Sequence, residues 1–147
     1  MSGLLAGLAG VTPAPTTPGA EHAFWIYPIL LDGVDVQRVA DDLRRAKLAV
    51  SVGYTGKPIY LCSESLSAKK TYGQSQWPFT IREGVKSYEY KEGLCPRAEE
   101  VLTRLICVLW DESWSDADVG RVASILRESV ERHGSGAAFS APEPTPA

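Results

Sequence analysis

Histidine and cysteine are scarce in this chain of 147 residues, which contains two histidines and three cysteines. The cysteines, Cys62, Cys95 and Cys107, are odd in number and lack the paired spacing of a zinc site, while His22 and His133 lie near opposite ends of the chain. We therefore expect no metal centre built from thiolate and imidazole ligands. Reduced thiols are typical of a cytoplasmic protein, and this is the location that we predict.

Excess basic charge and long apolar runs are also missing. The formal net charge is -3 and the isoelectric point is about 5.4, which argues against a broad surface for the phosphates of nucleic acid. The apolar stretch "GLLAGLAGV", residues 3–11, has no basic residue ahead of it and is far shorter than a membrane span. We expect neither nucleic acid nor a membrane as a partner.

The short motifs of common catalytic sites are absent, including GxGxxG, the P-loop pattern and HExxH. Cys95 precedes a predicted helix, a position that can activate a thiol, but neither histidine is near it in sequence. A buried, small apolar cysteine at a helix start is the preferred interpretation. Ser67 and Lys70 share the Ser-x-x-Lys spacing of serine acyl enzymes without the companion motifs, so a solvated helix end is favoured there.

The two ends of the chain differ in composition from its centre. Residues 1–21 and 134–147 are rich in glycine, alanine, proline and threonine. Because such segments bury little apolar area to offset their chain entropy, we predict that both are disordered. Residues 22–133 are then expected to form one domain of ordinary size.

Apolar patterns in this central region predict three strands and three long helices. The strands are expected at residues 23–32, 48–54 and 106–110, and Pro28 predicts that the first lies at or near a sheet edge. A helix is expected after Asp35, a second from Pro96 to about residue 105, and a third after Ser115, with Asp118 in its capping box. A shorter helix is predicted at 64–72. The predicted class is α+β, with a small three-stranded sheet layered with about three long helices.

The segment "YTGKPIY" after the second predicted strand is the candidate binding loop. Tyr54, Lys57 and Tyr60 supply two hydroxyl groups and an ammonium beside two glycines and a proline. Such a loop can present polar groups to a hydroxylated or anionic ligand. An ordinary strand connection, with its tyrosines half packed on the core, accounts for the composition equally well.

The order of several longer motifs resembles a known family. The motifs are "HAFWIYP", "RRAKLAVSVGYTGKPIYL", "YGQSQWPF", "YKEGLCPRAEEVLTRLICV" and "WSDADVGRVASILRESVERH". Together, over residues 21–132, they resemble the C-terminal small domain of the DegT/DnrJ/StrS-type sugar aminotransferases. That family comprises fold type I enzymes that depend on pyridoxal phosphate (PLP).

The resemblance implies a function, and also a missing part. It implies amino transfer to a keto-sugar or keto-cyclitol, with Tyr54, Lys57 and Tyr60 on the substrate side and the helix start at Cys95 structural. In the family, the PLP and its Schiff-base lysine belong to a large domain that precedes everything matched here. We therefore expect a fragment or split subunit that binds no cofactor alone, contains no catalytic residue and is inactive alone. A separately encoded PLP-binding domain or a homodimer partner is the expected partner, and a non-catalytic module that binds proteins through the former domain interface is the alternative.

Overall fold

The sheet has four antiparallel strands in a computed structural model that describes residues 1–74, 76–80 and 88–134. The strands are β1 (Val11–Pro13), β2 (Tyr27–Leu31), β3 (Val50–Val52) and β4 (Leu105–Val108), and their order is β1-β2-β4-β3. The predicted α+β class is confirmed. The predicted number of three strands was wrong. The additional strand is β1, which lies in the N-terminal segment that the composition predicts to be disordered.

The helices of the described region are α1 (Ser2–Leu5), α2 (Val36–Arg45), α3 (Ile59–Cys62), α4 (Glu64–Ser67), α5 (Pro96–Arg104) and α6 (Asp116–His133). The longest three are the long helices that the sequence predicts. Asp35 caps α2 by accepting from the Arg38 N–H at 3.1 Å, and Ser115 and Asp118 form a reciprocal capping box on α6. Within these residues, no helix combines the length and apolar character needed to cross a membrane.

The helix predicted at 64–72 is shorter in the structure, since α4 ends at Ser67. Its start is fixed by Ser63, whose side chain accepts from the Leu66 N–H at 3.3 Å. Lys69, two residues after the end, has a left-handed φ of 50°. A backbone in that conformation cannot continue a right-handed helix, so Gly73 is not the terminator.

The structure gives the N-terminal segment a short helix and a strand, where the composition of 1–21 predicts disorder. Leu5 is fully buried, and β1 pairs along β2 from Val11 opposite Leu31 to Pro13 opposite Ile29. The few apolar residues of this segment are spaced so that they pack against the core. The average composition of the segment does not show this spacing. The predicted disorder of 134–147 concerns residues that, apart from Gly134, lie outside the described residues.

Strand β2 lies next to the edge strand β1, so the prediction from Pro28 of a strand at or near a sheet edge is confirmed. It pairs with β1 on one side and with β4 on the other, where Pro28 is opposite Cys107. However, β1 ends opposite Ile29. Among the described residues, Pro28 therefore has a strand partner on one side only, and the sheet tolerates a residue without a backbone N–H at that point.

The main core lies between one face of the sheet and the helices α2 and α6. Along β2 the buried residues alternate with half-buried ones, as expected for a strand with one face against the core. The core cluster combines strand residues Tyr27, Ile29, Leu31, Ile106 and Val108 with helix residues Val39, Ala40, Leu43, Val122, Leu126 and Val130. Helix α5 runs directly into β4, and its last residue, Arg104, forms an ion pair with Asp32 at the end of β2.

Candidate functional site

Two glycines position the loop that follows β3. Gly53 has a φ of +65°, and a Cβ at this residue would lie 2.9 Å from the Leu102 carbonyl oxygen of α5. Its N–H donates to the Leu105 carbonyl at 2.8 Å, and the Gly56 N–H donates back to the Gly53 carbonyl at 2.9 Å. A side chain at residue 53 would force the loop away from α5, so glycine is required for this close approach.

Tyr54 and Lys57 both reach solvent from this loop. The Tyr54 side chain is 49% exposed, and its ring meets Trp25 edge-on with the ring centroids 6.3 Å apart. Lys57 is exposed and lines a shallow cavity of about 170 Å³ together with Glu92 and Glu99. The loop thus presents a hydroxyl, an ammonium and an aromatic edge on the outside of the domain.

Tyr60 is in a different environment from Tyr54 and Lys57. It is buried in α3, its hydroxyl donates to the Glu99 carboxylate, and the same oxygen accepts from the Cys95 N–H at 3.3 Å. Of the three residues predicted on the substrate side, the structure leaves two exposed and engages the hydroxyl of the third inside the protein. Tyr60 joins α3 to the start of α5 and so holds the base of the loop.

Glu99 is the acceptor in this contact, and no role for it was predicted from the sequence. Its carboxylate accepts from the Gly93 N–H at 2.8 and 2.9 Å and from the Cys95 N–H at 3.3 Å. The hydrogen bond from Tyr60 and that from Gly93 hold the pKa of Glu99 below its ordinary value, while burial raises the pKa of Tyr60. A glutamate that accepts from the N–H of its own N-cap residue resembles a capping box in which the acid is shifted by one position. That spacing is the sequence signal from which this contact could have been predicted.

Cys95 has an exposed thiol at the start of α5 but no imidazole beside it. His22 is hydrogen-bonded to the Pro15 carbonyl at 2.9 Å, and His133 lies 2.9 Å from the Asp42 carboxylate. Both histidines are therefore engaged elsewhere in the described structure. A nucleophilic cysteine needs an adjacent base or a cationic neighbour, so the geometry favours a structural role for this helix start. The predicted burial of Cys95 was wrong, since the residue is exposed.

The Ser-x-x-Lys spacing does not create a catalytic pair either. The Ser67 hydroxyl donates to the Glu64 carbonyl at 3.2 Å, within its own helical turn. The Lys70 ammonium lies 3.9 Å from the Glu64 carboxylate. Both side chains interact with Glu64 of α4, as we expect for a solvated helix end.

Replacing Tyr60 with phenylalanine should raise the pKa of Glu99 towards its ordinary value. The hydrogen bond from Tyr60 is the largest cause of the lowered pKa, and the Gly93 hydrogen bond remains in the variant, so the rise is partial. The measurement is an acid titration of the Glu99 side-chain carboxyl carbon by NMR. Tyr72→Phe, at a fully exposed tyrosine, is the matched control and should leave that titration unchanged. An unaltered Glu99 titration in the Tyr60 variant would show that the contact is not formed in solution.

Comparison of the chain with protein-family models, with curated proteins and with solved structures found no match in any of the three. The fold class is shown by the structure itself. The relation to sugar aminotransferases stays a prediction.

Proposed function

We propose that this chain is a cytoplasmic small-domain half of a PLP-dependent sugar or cyclitol aminotransferase site. The cofactor and its Schiff-base lysine belong to polypeptide outside these 147 residues. The observation that carries the proposal is the loop after β3, which exposes Tyr54 and Lys57 while Tyr60 and Glu99 fix its base. The motif order described above supplies the reaction class, and the three free cysteines agree with a reducing compartment.

In this proposal the loop binds and orients a keto-sugar or keto-cyclitol. The Lys57 ammonium is a point charge suited to an anionic part of the substrate, such as a phosphate group. The Tyr54 hydroxyl can hydrogen-bond to a sugar hydroxyl, and the adjacent Trp25 ring, 73% exposed, offers an apolar surface to the sugar ring. These groups hold the substrate while the other half of the site carries the chemistry.

The residues around Lys57 do not fit PLP itself. The cofactor requires a lysine amine, an acid at its pyridine nitrogen and a cradle for its phosphate. The Lys57 cavity has a volume of about 170 Å³, below the range of about 300–1,000 Å³ that is usual for such ligands. Lys57 is the one cation among its described lining residues, so the several groups that a phosphate cradle needs are not assembled there. We therefore assign this chain substrate binding and no step of the amino transfer.

A non-catalytic module that binds another protein is the second candidate function. The observation in its favour is a set of exposed large apolar side chains. Trp25, Ile59 and Trp77 are 73%, 71% and 73% exposed, respectively. Side chains of this kind mark protein interaction sites when they cluster on a surface.

The test is to express the chain alone and together with the polypeptide encoded directly beside it, and to add PLP and glutamine to each. We expect the absorbance band of an internal aldimine, and amino transfer to a keto-sugar, only when the larger domain is present. In that complex Lys57→Gln should raise KM for an anionic keto-sugar by about tenfold with a smaller change in kcat, since a binding contact is lost. Lys47→Gln, at an exposed lysine after α2, is the matched control and should change neither constant.

Two outcomes would contradict the proposal. The first is an aldimine formed by the chain alone in a form competent for turnover, located on one of its own lysines by borohydride reduction and peptide mapping. The second is a stable complex with the larger polypeptide that neither binds PLP nor transfers an amino group, which would favour the interaction module.

A further inference from the structure

A second and larger cavity lies between residues 23–25 and the segment that joins β4 to α6. Its volume is about 430 Å³, which is within the usual range for a small-molecule site. We call it the aromatic pocket. Its lining residues are Ala23, Phe24, Trp25, Trp110, Asp111, Glu112, Trp114 and Val119. Half of them are aromatic and two are acidic, and Trp25 is the one lining residue that the proposed aminotransferase role also uses.

The aromatic wall of the pocket is held in a fixed arrangement around Trp110. The rings of Phe24 and Trp114 meet Trp110 edge-on, with centroids 6.0 and 6.2 Å away, and the Tyr27 ring packs beneath it at 5.5 Å. The indole N–H of Trp110 donates to the Phe24 carbonyl. Phe24 also has a left-handed φ of 42°, a conformation that non-glycine residues adopt at a cost. The wall is therefore preorganised before any ligand arrives.

The charge beside this wall is negative. Asp111 and Glu112 line the pocket, and no lysine, arginine or histidine is among its described lining residues. Asp111 accepts hydrogen bonds from the Ser113 N–H and hydroxyl, which lower the pKa of its carboxyl group and keep it ionised. The positive end of α6 is close, but its capping box already places the Asp118 carboxylate there.

We propose that the aromatic pocket binds a small organic cation, namely an alkylated ammonium group held against the rings beside the carboxylates of Asp111 and Glu112. Aromatic faces attract such cations electrostatically, and nearby carboxylates add to that attraction. The Trp110 N–H is already bonded to the Phe24 carbonyl, and the two carboxylates offer acceptors and negative charge, which favours a cation over an anionic ligand. The proposal stands on this pocket alone and does not depend on the aminotransferase role.

The probe is choline, titrated into the full chain at mildly alkaline pH and followed by tryptophan fluorescence and calorimetry. We expect saturable binding of choline. Dimethylbutanol, the uncharged analogue with carbon in place of the nitrogen, should bind about tenfold more weakly, because it keeps the shape but loses the cation–aromatic attraction. Sodium chloride at matched concentration corrects for ionic strength.

Two pairs of variants locate the site. Glu112→Gln should weaken choline binding several-fold and leave dimethylbutanol binding unchanged, while Glu131→Gln, an exposed glutamate on α6, should change neither. Trp114→Leu should weaken choline binding by about tenfold, and Trp77→Leu, at a 73% exposed tryptophan outside the pocket, should not. Circular dichroism checks that the Trp114 variant is folded, and the exposed position of Glu112 keeps the charge test independent of folding.

Three results would overturn the proposal. They are the absence of saturable choline binding, equal affinities for choline and dimethylbutanol, and a Glu112→Gln variant with unchanged choline affinity. Equal affinities would mean that the pocket selects only apolar shape.

Discussion

Replacing Leu5 with alanine should lower the free energy of unfolding by about 2–5 kcal/mol, the range for a fully buried leucine. Leu5 is 0% exposed and belongs to the core cluster. The substitution removes apolar contacts and leaves a cavity that the surroundings fill only in part. The segment is also tied down by Arg127 of α6, which donates to the Leu4 carbonyl at 2.7 Å, so the helix α1 has a fixed place over the core.

The measurement is urea unfolding followed by tryptophan fluorescence. Leu4→Ala is the matched control, since the neighbouring leucine is 49% exposed and its loss should cost less than about 0.5 kcal/mol. If the two variants unfold at the same urea concentration, the N-terminal segment is not docked in solution and the composition-based prediction of disorder holds.

Replacing Asp42 with alanine should lower the free energy of unfolding by about 2–3 kcal/mol, because a buried partner loses its acceptor. The Asp42 carboxylate on α2 accepts from the Ser129 hydroxyl of α6 at 2.8 Å and lies 2.9 Å from both the Arg132 and His133 nitrogens. Ser129 is 1% exposed, so its hydroxyl cannot turn to water. A single carboxylate thus joins α2 to three polar side chains within little more than one turn of α6.

Asp41→Ala is the matched control for Asp42. Asp41 pairs with Arg44 at 3.0 Å, but the side chains are 56% and 44% exposed, and such surface pairs contribute about 0.5 kcal/mol or less. The same urea experiment compares the two variants. Equal losses for Asp41 and Asp42 would show that the α2–α6 contact does not depend on the buried carboxylate.

The contribution of Asp42 to the free energy of unfolding should also depend on pH. The hydrogen bond from Ser129, together with His133 and the charges of Arg45 and Arg132, holds the pKa of Asp42 below its ordinary value of 3.8 despite its burial. Because the folded pKa is lower than the unfolded one, this stability is complete above the ordinary value and is lost as the pH falls through the folded pKa. Urea unfolding at a series of acidic pH values should therefore show a shallower decline for Asp42→Asn than for the unaltered chain.

Local signals allowed the long helices to be predicted from sequence. Asp35 and Ser115 cap α2 and α6, and Pro96 occupies the first position of α5, as expected. A cap acts within one turn of its own residue, so sequence neighbours suffice to identify it. The same reasoning could not place the N-terminal segment, because Leu5 gains its burial from residues far along the chain.

The candidate site was predictable only in part for the same physical reason. The glycines around Tyr54 predict a loop after a strand, and the structure has a loop there, directly after β3. The role of Tyr60 depends on Glu99, which lies 39 positions further along the chain. Nothing local to either residue specifies that pairing, so the sequence could not separate the exposed residues of the loop from the buried one.

The position of β4 between β2 and β3 constrains how the chain can acquire its shape during synthesis. Both earlier strands pair with β4 and not with each other. While the ribosome is still making the residues before Leu105, β3 has no neighbour in the sheet and β2 has β1 alone. A nascent chain stalled there exposes unpaired backbone groups that can recruit other chains, and resistance to protease should arise in one late step once β4 has emerged.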